Sequence, residues 1–158
     1  MKLPSLRMID LTDVLQRQGE ALKKTMRQFM TQQKGVNFKP YEPLAERTLA
    51  DRKRRGITST KRLIDTGTLR DSITIDAGKL RLEIGLSGAP HPRGKGASIE
   101  QVGAWNQQSV TDKPYNPEWF GVTKVGLETA VNHVAKEIKT QLLANGVFGT
   151  SVVHRVNV

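Results

Sequence analysis

Apolar residues recur at Leu11, Leu15, Leu22, Met26 and Phe29, at three-, four- and seven-residue steps, within an otherwise polar stretch. That period places them on one face and predicts an amphipathic helix over 10–33, capped by Asp10 or Thr12 and ended by Lys34-Gly35. Gly19 interrupts it at a cost of about 1 kcal/mol relative to Ala. A second helix opens after Tyr41-Glu42, with Pro43 in its first turn. It carries Leu44, Thr48 and Leu49, then the run Arg52-Lys53-Arg54-Arg55, and stops at Gly56. Ile57–Arg62 is polar and reads as a mobile loop. Leu63–Gly67 turns sharply into a short segment over Thr68–Ser72.

Two alternating runs follow, Ser72–Asp76 and Leu80–Leu86, joined through Ala77-Gly78-Lys79. Ile73 and Ile75 share one face, and Leu80, Leu82, Ile84 and Leu86 share another, which predicts a β-hairpin. Residues 87–98 are a loop by composition. Ile99–Gln107 fits a short helix showing Ile99, Val102 and Trp105. Pro114 and Pro117 make 112–118 irregular, and Trp119–Val125 reads as a strand. The last helix runs from about Leu127 to Ala144 with the stripe Leu127, Val131, Val134, Ile138 and Leu142. Asn145-Gly146 supplies a left-handed stop. Residues 147–158 read as an extended valine-rich arm. The pattern places a long helix near each end of the chain, a β-hairpin between them and an extended C-terminal tail. It has no linker long enough to divide 158 residues, so one domain over 1–158 is expected, with 1–35 as N-terminal helix and 147–158 as C-terminal arm.

Charge changes this picture more than composition does. The net charge is +10, and residues 1–62 hold 15 Lys/Arg against 6 Asp/Glu, so nearly all the excess is N-terminal. Such a surface attracts DNA or an acidic protein partner; it also fits a solvated helix face. Four cations in a last helical turn complement the negative end of the helix dipole whatever else they bind. Only 37% of residues are hydrophobic and 5% aromatic, which suits a subunit that packs on neighbours and equally a small α+β domain. The N-terminal stretch has no apolar run of signal-peptide length, and no stretch approaches the roughly 20 apolar residues of a membrane span.

Catalytic chemistry finds no foothold. There is no cysteine, and His91, His133 and His154 stand outside any metal-ligand spacing. Gly88…Gly94-Lys95 approaches a phosphate-binding loop, but its glycines are one position too far apart and Gly96 replaces the hydroxyl residue. No GxSxG elbow exists, and Asp65, Asp71 and Asp76 are explained by capping and solvation. No catalytic, cofactor-binding or metal-binding residue is expected. The basic run with Lys61 and Arg62 could contact phosphates, yet no groove-reading pattern or interleaved aromatics accompany it.

The order of motifs carries the remaining information. Phe38-Lys39-Pro40-Tyr41-Glu42-Pro43-Leu44, then Arg47-Thr48-Leu49 and the basic run, resembles the phage virion morphogenesis and tail-completion families. Leu63-Ile64-Asp65-Thr66-Gly67-Thr68-Leu69-Arg70-Asp71-Ser72-Ile73 is similar to their central Leu–x–x–Thr-Gly–x-Leu–x–x-Ser signature. A hairpin ending in Ile84-Gly85 follows in place. The chain departs from those families at Ile99–Trp105 and at Tyr115–Phe120, where Pro117 and Phe120 fit but the usual arginine is missing. The residues of the signature have a physical sense: Thr66 caps, Gly67 permits the turn, Leu69 and Ile73 anchor, and Ser72 bonds the local backbone.

The resemblance implies an α+β fold, a small, mainly antiparallel sheet packed by helices, with long N- and C-terminal helices and an extended C-terminal tail. It further implies a structural, non-enzymatic subunit of a ring, sixfold, at the head–tail interface or neck of a tailed phage. Its partners would be copies of itself, other neck, connector or tail-tube proteins, and DNA in the channel, with no membrane. Its place would be the virion, after assembly in the host cytoplasm. Pro43, Leu44, Thr66, Gly67, Leu69 and Ser72 form the structural signature. Arg52, Lys53, Arg54, Arg55, Arg93, Lys95, Val152 and Val153 are interface candidates. The alternative is a DNA-binding accessory protein using the N-terminal helices.

Overall fold

A computed structural model describes residues 9–64, 66–88, 96–112 and 120–145. The elements are helices α1 (Thr12–Gln32), α2 (Glu46–Arg54) and α3 (Thr68–Asp71), strands β1 (Ile73–Ala77) and β2 (Leu82–Leu86), then helices α4 (Ile99–Asp112) and α5 (Lys124–Ala144). The fold is α+β with one two-stranded antiparallel sheet and a long helix near each end, as the pattern predicts. The 147–158 arm lies outside the described residues, as do Asp65, most of the 87–98 loop and residues 113–119.

α1 is the axis of the molecule. The face carrying Leu15, Leu22, Met26 and Phe29 is buried, joined by Val14 and Met30. Asp10 accepts hydrogen bonds from the Thr12 amide (3.0 Å) and hydroxyl (2.6 Å), which hold its carboxyl below the ordinary range. Leu11, not Asp10 or Thr12, occupies the cap position itself. At the other end Gln33, one residue before the expected stop, takes the left-handed conformation, φ 58°.

Two clusters of apolar side chains lie toward the two ends of α1. Toward its start, Ile9, Leu11, Val14 and Leu15 meet Ala77, Leu82, Val134, Ile138 and Leu142. Toward its end, Met26 and Met30 pack with Tyr41, Leu69, Ile73 and Ile99, backed by Leu63, Ile64, Ile84, Leu86 and Phe120. Between the clusters the hairpin crosses α1 at Gly19. A Cβ there would stand 2.6 Å from Ile75 Cγ2 and 2.9 Å from Leu82 Cδ1. Gly19 is therefore the crossing point of the fold, not the weak spot that propensity suggests.

The hairpin pairs Ile73 with Leu86, Ile75 with Ile84 and Ala77 with Leu82. Residues directly opposite in an antiparallel pair share a face, so both apolar sets lie on one side, toward α1, rather than on two. Leu80 belongs to the turn and is exposed. On the outer face Asp76 opposes Glu83, a like-charge pair that Arg81 bridges at 2.9 and 3.2 Å. A lone two-stranded hairpin is marginal in water; this one stands because it is laid on α1.

α2 begins at Glu46, so Pro43 lies before the helix rather than in its first turn. α4 is longer than expected, and Ser98 and Gln101 exchange bonds at its start, each amide N–H donating to the other's side chain (2.9 and 3.2 Å). That is a capping box, legible as Ser-x-x-Gln. Ile99 is fully buried, whereas Trp105 is 57% exposed. The strand expected at 119–125 is not formed over its described part. Phe120–Thr123 is irregular and Lys124 starts α5, because the Thr123 hydroxyl accepts from the Gly126 amide (3.0 Å) and caps a helix instead. At the far end Asn145 has φ −86°, so it makes no left-handed stop.

α5 runs antiparallel to α1: Gly126 lies by Leu22, His133 Nδ1 is 3.0 Å from Gln18 Oε1, and Gln141 brackets the backbone of Asp10. One buried group meets no partner. The Tyr41 hydroxyl has no hydrogen bond among the described residues, and burial pushes its phenol far above the ordinary range. Removing an unsatisfied buried hydroxyl removes its desolvation penalty. Tyr41→Phe should therefore leave stability unchanged or raise it by up to about 2 kcal/mol, read from the urea midpoint. A loss above about 1 kcal/mol would reveal a partner for the hydroxyl.

Candidate assembly surfaces

The central signature is a structural joint. Gly67 has φ +84° and precedes α3; a Cβ there would be strained and would meet Asp71 Oδ2 at 3.3 Å. The Thr66 and Thr68 hydroxyls bond at 2.7 Å across the turn. Leu69 and Ile73 are buried in the core, and the buried Ser72 hydroxyl donates to the Leu69 carbonyl (2.8 Å). Arg27 reaches from α1 to donate to the carbonyls of Arg70 and Asp71, the exposed end of α3. Arg70 in turn grips the Asp71 carboxylate at 2.8 and 3.0 Å, keeping that carboxyl below its ordinary range. Leu44 is half-buried, and the exposed Pro43 accepts from Arg62 through its carbonyl.

The basic run divides into separate roles. Arg52 is buried, at 7% exposure, the single buried residue of α2. Its guanidinium Nη1 donates to the carbonyls of Ser59 and Lys61 (2.8 Å each) and more weakly to Ile64 (3.4 Å). The 57–62 segment, read as a mobile loop from its composition, is irregular and is wrapped around Arg52 by these bonds. Burial sets Arg52 apart from the surface cations among the interface candidates. Arg54 and Arg55 both pair with Asp51, at 3.2 and 2.6 Å. Lys53 is exposed and makes no ion pair among the described residues. Lys61 donates to the Thr31 carbonyl near the end of α1 (2.9 Å), and Arg62 to the carbonyls of Glu42 and Pro43. Much of the N-terminal positive charge therefore ties backbone together. Arg93, Lys95, Val152 and Val153 lie outside the described residues.

α5 presents the second surface. α1 covers the ridge through Gly126, Ala130, Val134 and Gln141, leaving the next ridge bare at its N-terminal half. Leu127 is 55% and Val131 57% exposed, and the exposed Ala135 extends the row. Only Val134, Ile138 and Leu142 of the predicted stripe meet the core. No helix among the described residues is long and apolar enough to cross a membrane. No three metal-ligating side chains converge among those residues either.

Compared with known families, residues 2–139 match the model of the phage virion morphogenesis family. The chain belongs to that family. It is a bacteriophage protein of virion assembly. No curated protein and no solved structure is significantly similar to it.

Proposed function

We propose that the protein is a structural, non-catalytic subunit that forms a ring at the head–tail interface of a tailed phage, completing the tail and joining it to the head. The observation that carries this reading is the bare apolar row of α5. Leu127 and Val131 are exposed one turn apart, beside the ridge of α5 that packs on α1. Clustered exposed apolar residues signal a surface that another protein covers. The row lies in the nearly neutral part of the chain, where residues 63–158 hold 10 Lys/Arg and 9 Asp/Glu, and is flanked by Lys124 and Glu128, 3.9 Å apart. Copies of the chain can meet there without the self-repulsion that the basic N-terminal part would impose.

The DNA-binding alternative is weaker on these observations, because Arg52 is sequestered and Arg54 and Arg55 share a carboxylate. The ring reading predicts that Leu127→Glu/Val131→Glu leaves the circular dichroism spectrum unchanged. The same variant should reduce the oligomer seen by native mass spectrometry to monomer. A wild-type protein that stays monomeric at every concentration and in isolated particles contradicts self-association, and unchanged rings in the double variant contradict this face.

A further inference from the structure

A cleft of about 420 Å³ opens between α2 and the segment after it, lined by Leu49, Arg52, Lys53, Ile57 and the 58–60 stretch. It is built, not incidental. Arg52 at its base holds the Ser59 and Lys61 carbonyls, and the Ser59 hydroxyl donates to Ile64 (2.7 Å), so the far wall is fixed to the helix. Leu49 and Ile57 give the cleft two apolar side chains, both half-buried. Lys53 supplies an exposed ammonium, and no carboxylate among the described residues lines the cleft. The face carrying Arg47, Asp51 and Arg54 follows the three- and four-residue spacing and lies on the other side of the helix.

We propose that this cleft docks an acidic segment of a different virion protein. One apolar side chain of that segment lies between Leu49 and Ile57, and a carboxylate pairs with Lys53. Two other occupants fit less well. A second copy of the chain carries a net charge of +10 with its 15 Asp and Glu dispersed, so it would bring like charge to this basic part of the molecule. A nucleic-acid backbone would use the cation but gain nothing from the apolar pair, since phosphate contacts are electrostatic and polar. A charged rim around an apolar anchor site is the arrangement by which protein interfaces combine steering with affinity. The proposal does not depend on the ring, because one copy suffices to form the contact.

The test places a photo-crosslinking benzoylphenylalanine at Thr58 or at Thr60, both exposed, in the full-length protein supplied to phage-producing cells. Irradiated particles are digested and the adducts sequenced. Both positions should yield one peptide of another virion protein, with net negative charge and an apolar residue at or beside the adduct. Lys53→Glu should lower the adduct yield by about tenfold, as loss of an interfacial charge pair does. Arg54→Gln, on the outer face, should leave it unchanged. Adducts to DNA, to a second copy or to a neutral or basic segment overturn the proposal, as do no adducts or yields unmoved by Lys53→Glu. Monomeric behaviour of the protein would count against the ring and leave these adducts as they are.

Discussion

Replacing Arg52 with Ala should melt the α2 arm while leaving the two cores standing. The guanidinium supplies two short hydrogen bonds to backbone carbonyls from a buried position. Bonds to a charged donor contribute roughly 1.5–3 kcal/mol each, and carbonyls deprived of partners must find water. The segment can reach water by opening, so the loss is local. Amide exchange over 46–64 should accelerate by about a hundredfold, the equivalent of roughly 3 kcal/mol, whereas β1 and the first turns of α1 keep their protection. Arg52→Lys should recover less than half of this, since an ammonium lacks the planar fork. If Arg52 were instead a surface contact, exchange would not change and only docking would suffer.

The second large effect is at Gly19, where helix propensity and packing predict opposite signs. In an isolated helix, Gly19→Ala would gain about 1 kcal/mol. In this fold the new methyl would lie 2.6 Å from Ile75 Cγ2, on a β-branched side chain held in a strand. Overpacking of this kind costs about 1–3 kcal/mol, so Ala should be net destabilising and Val should exceed about 3 kcal/mol. For a chain of 158 residues, each kcal/mol lowers Tm by roughly 2–4 °C. A rise in Tm on Gly19→Ala would mean that the hairpin does not cross α1 at this point.

These two positions mark where the sequence was legible and where it was not. The period of Leu15, Leu22, Met26 and Phe29 identified α1 and its buried face, because one-sided burial leaves a mark that periodicity reads directly. The hairpin and the Thr-Gly-x-Leu joint were legible for similar reasons of alternation and turn chemistry. Gly19 was misread because propensity is local, and the reason for the glycine sits 56 residues away in Ile75. Arg52 was grouped with its charged neighbours because nothing in a run of four cations shows which one turns inward. Trp119–Val125 looks like a strand by composition, yet Thr123 caps a helix, a choice made by the Gly126 amide and the packing of α5 on α1. The α5 stripe was found complete, but sequence cannot tell which of its apolar residues the same chain covers. The interface candidate Leu127 and its neighbour Val131 emerge only after α1 has been seen to take the adjacent ridge.

The roles of the cations follow from the same geometry. Lys61 and Arg62 fasten the arm to α1 and to the 42–43 segment, so they act before any partner arrives. Lys53 is the residue of the run that brings an exposed ammonium to the cleft we propose for a partner, and the α5 row is the face we propose for neighbouring copies.

The central claim, that this protein joins head to tail, is tested most directly by electron microscopy of particles made by a phage whose copy of the gene carries an early stop codon. The account predicts DNA-filled heads and separate tails in the same lysate, restored to joined particles when the full-length protein is supplied. Joined, complete virions without the protein would contradict it.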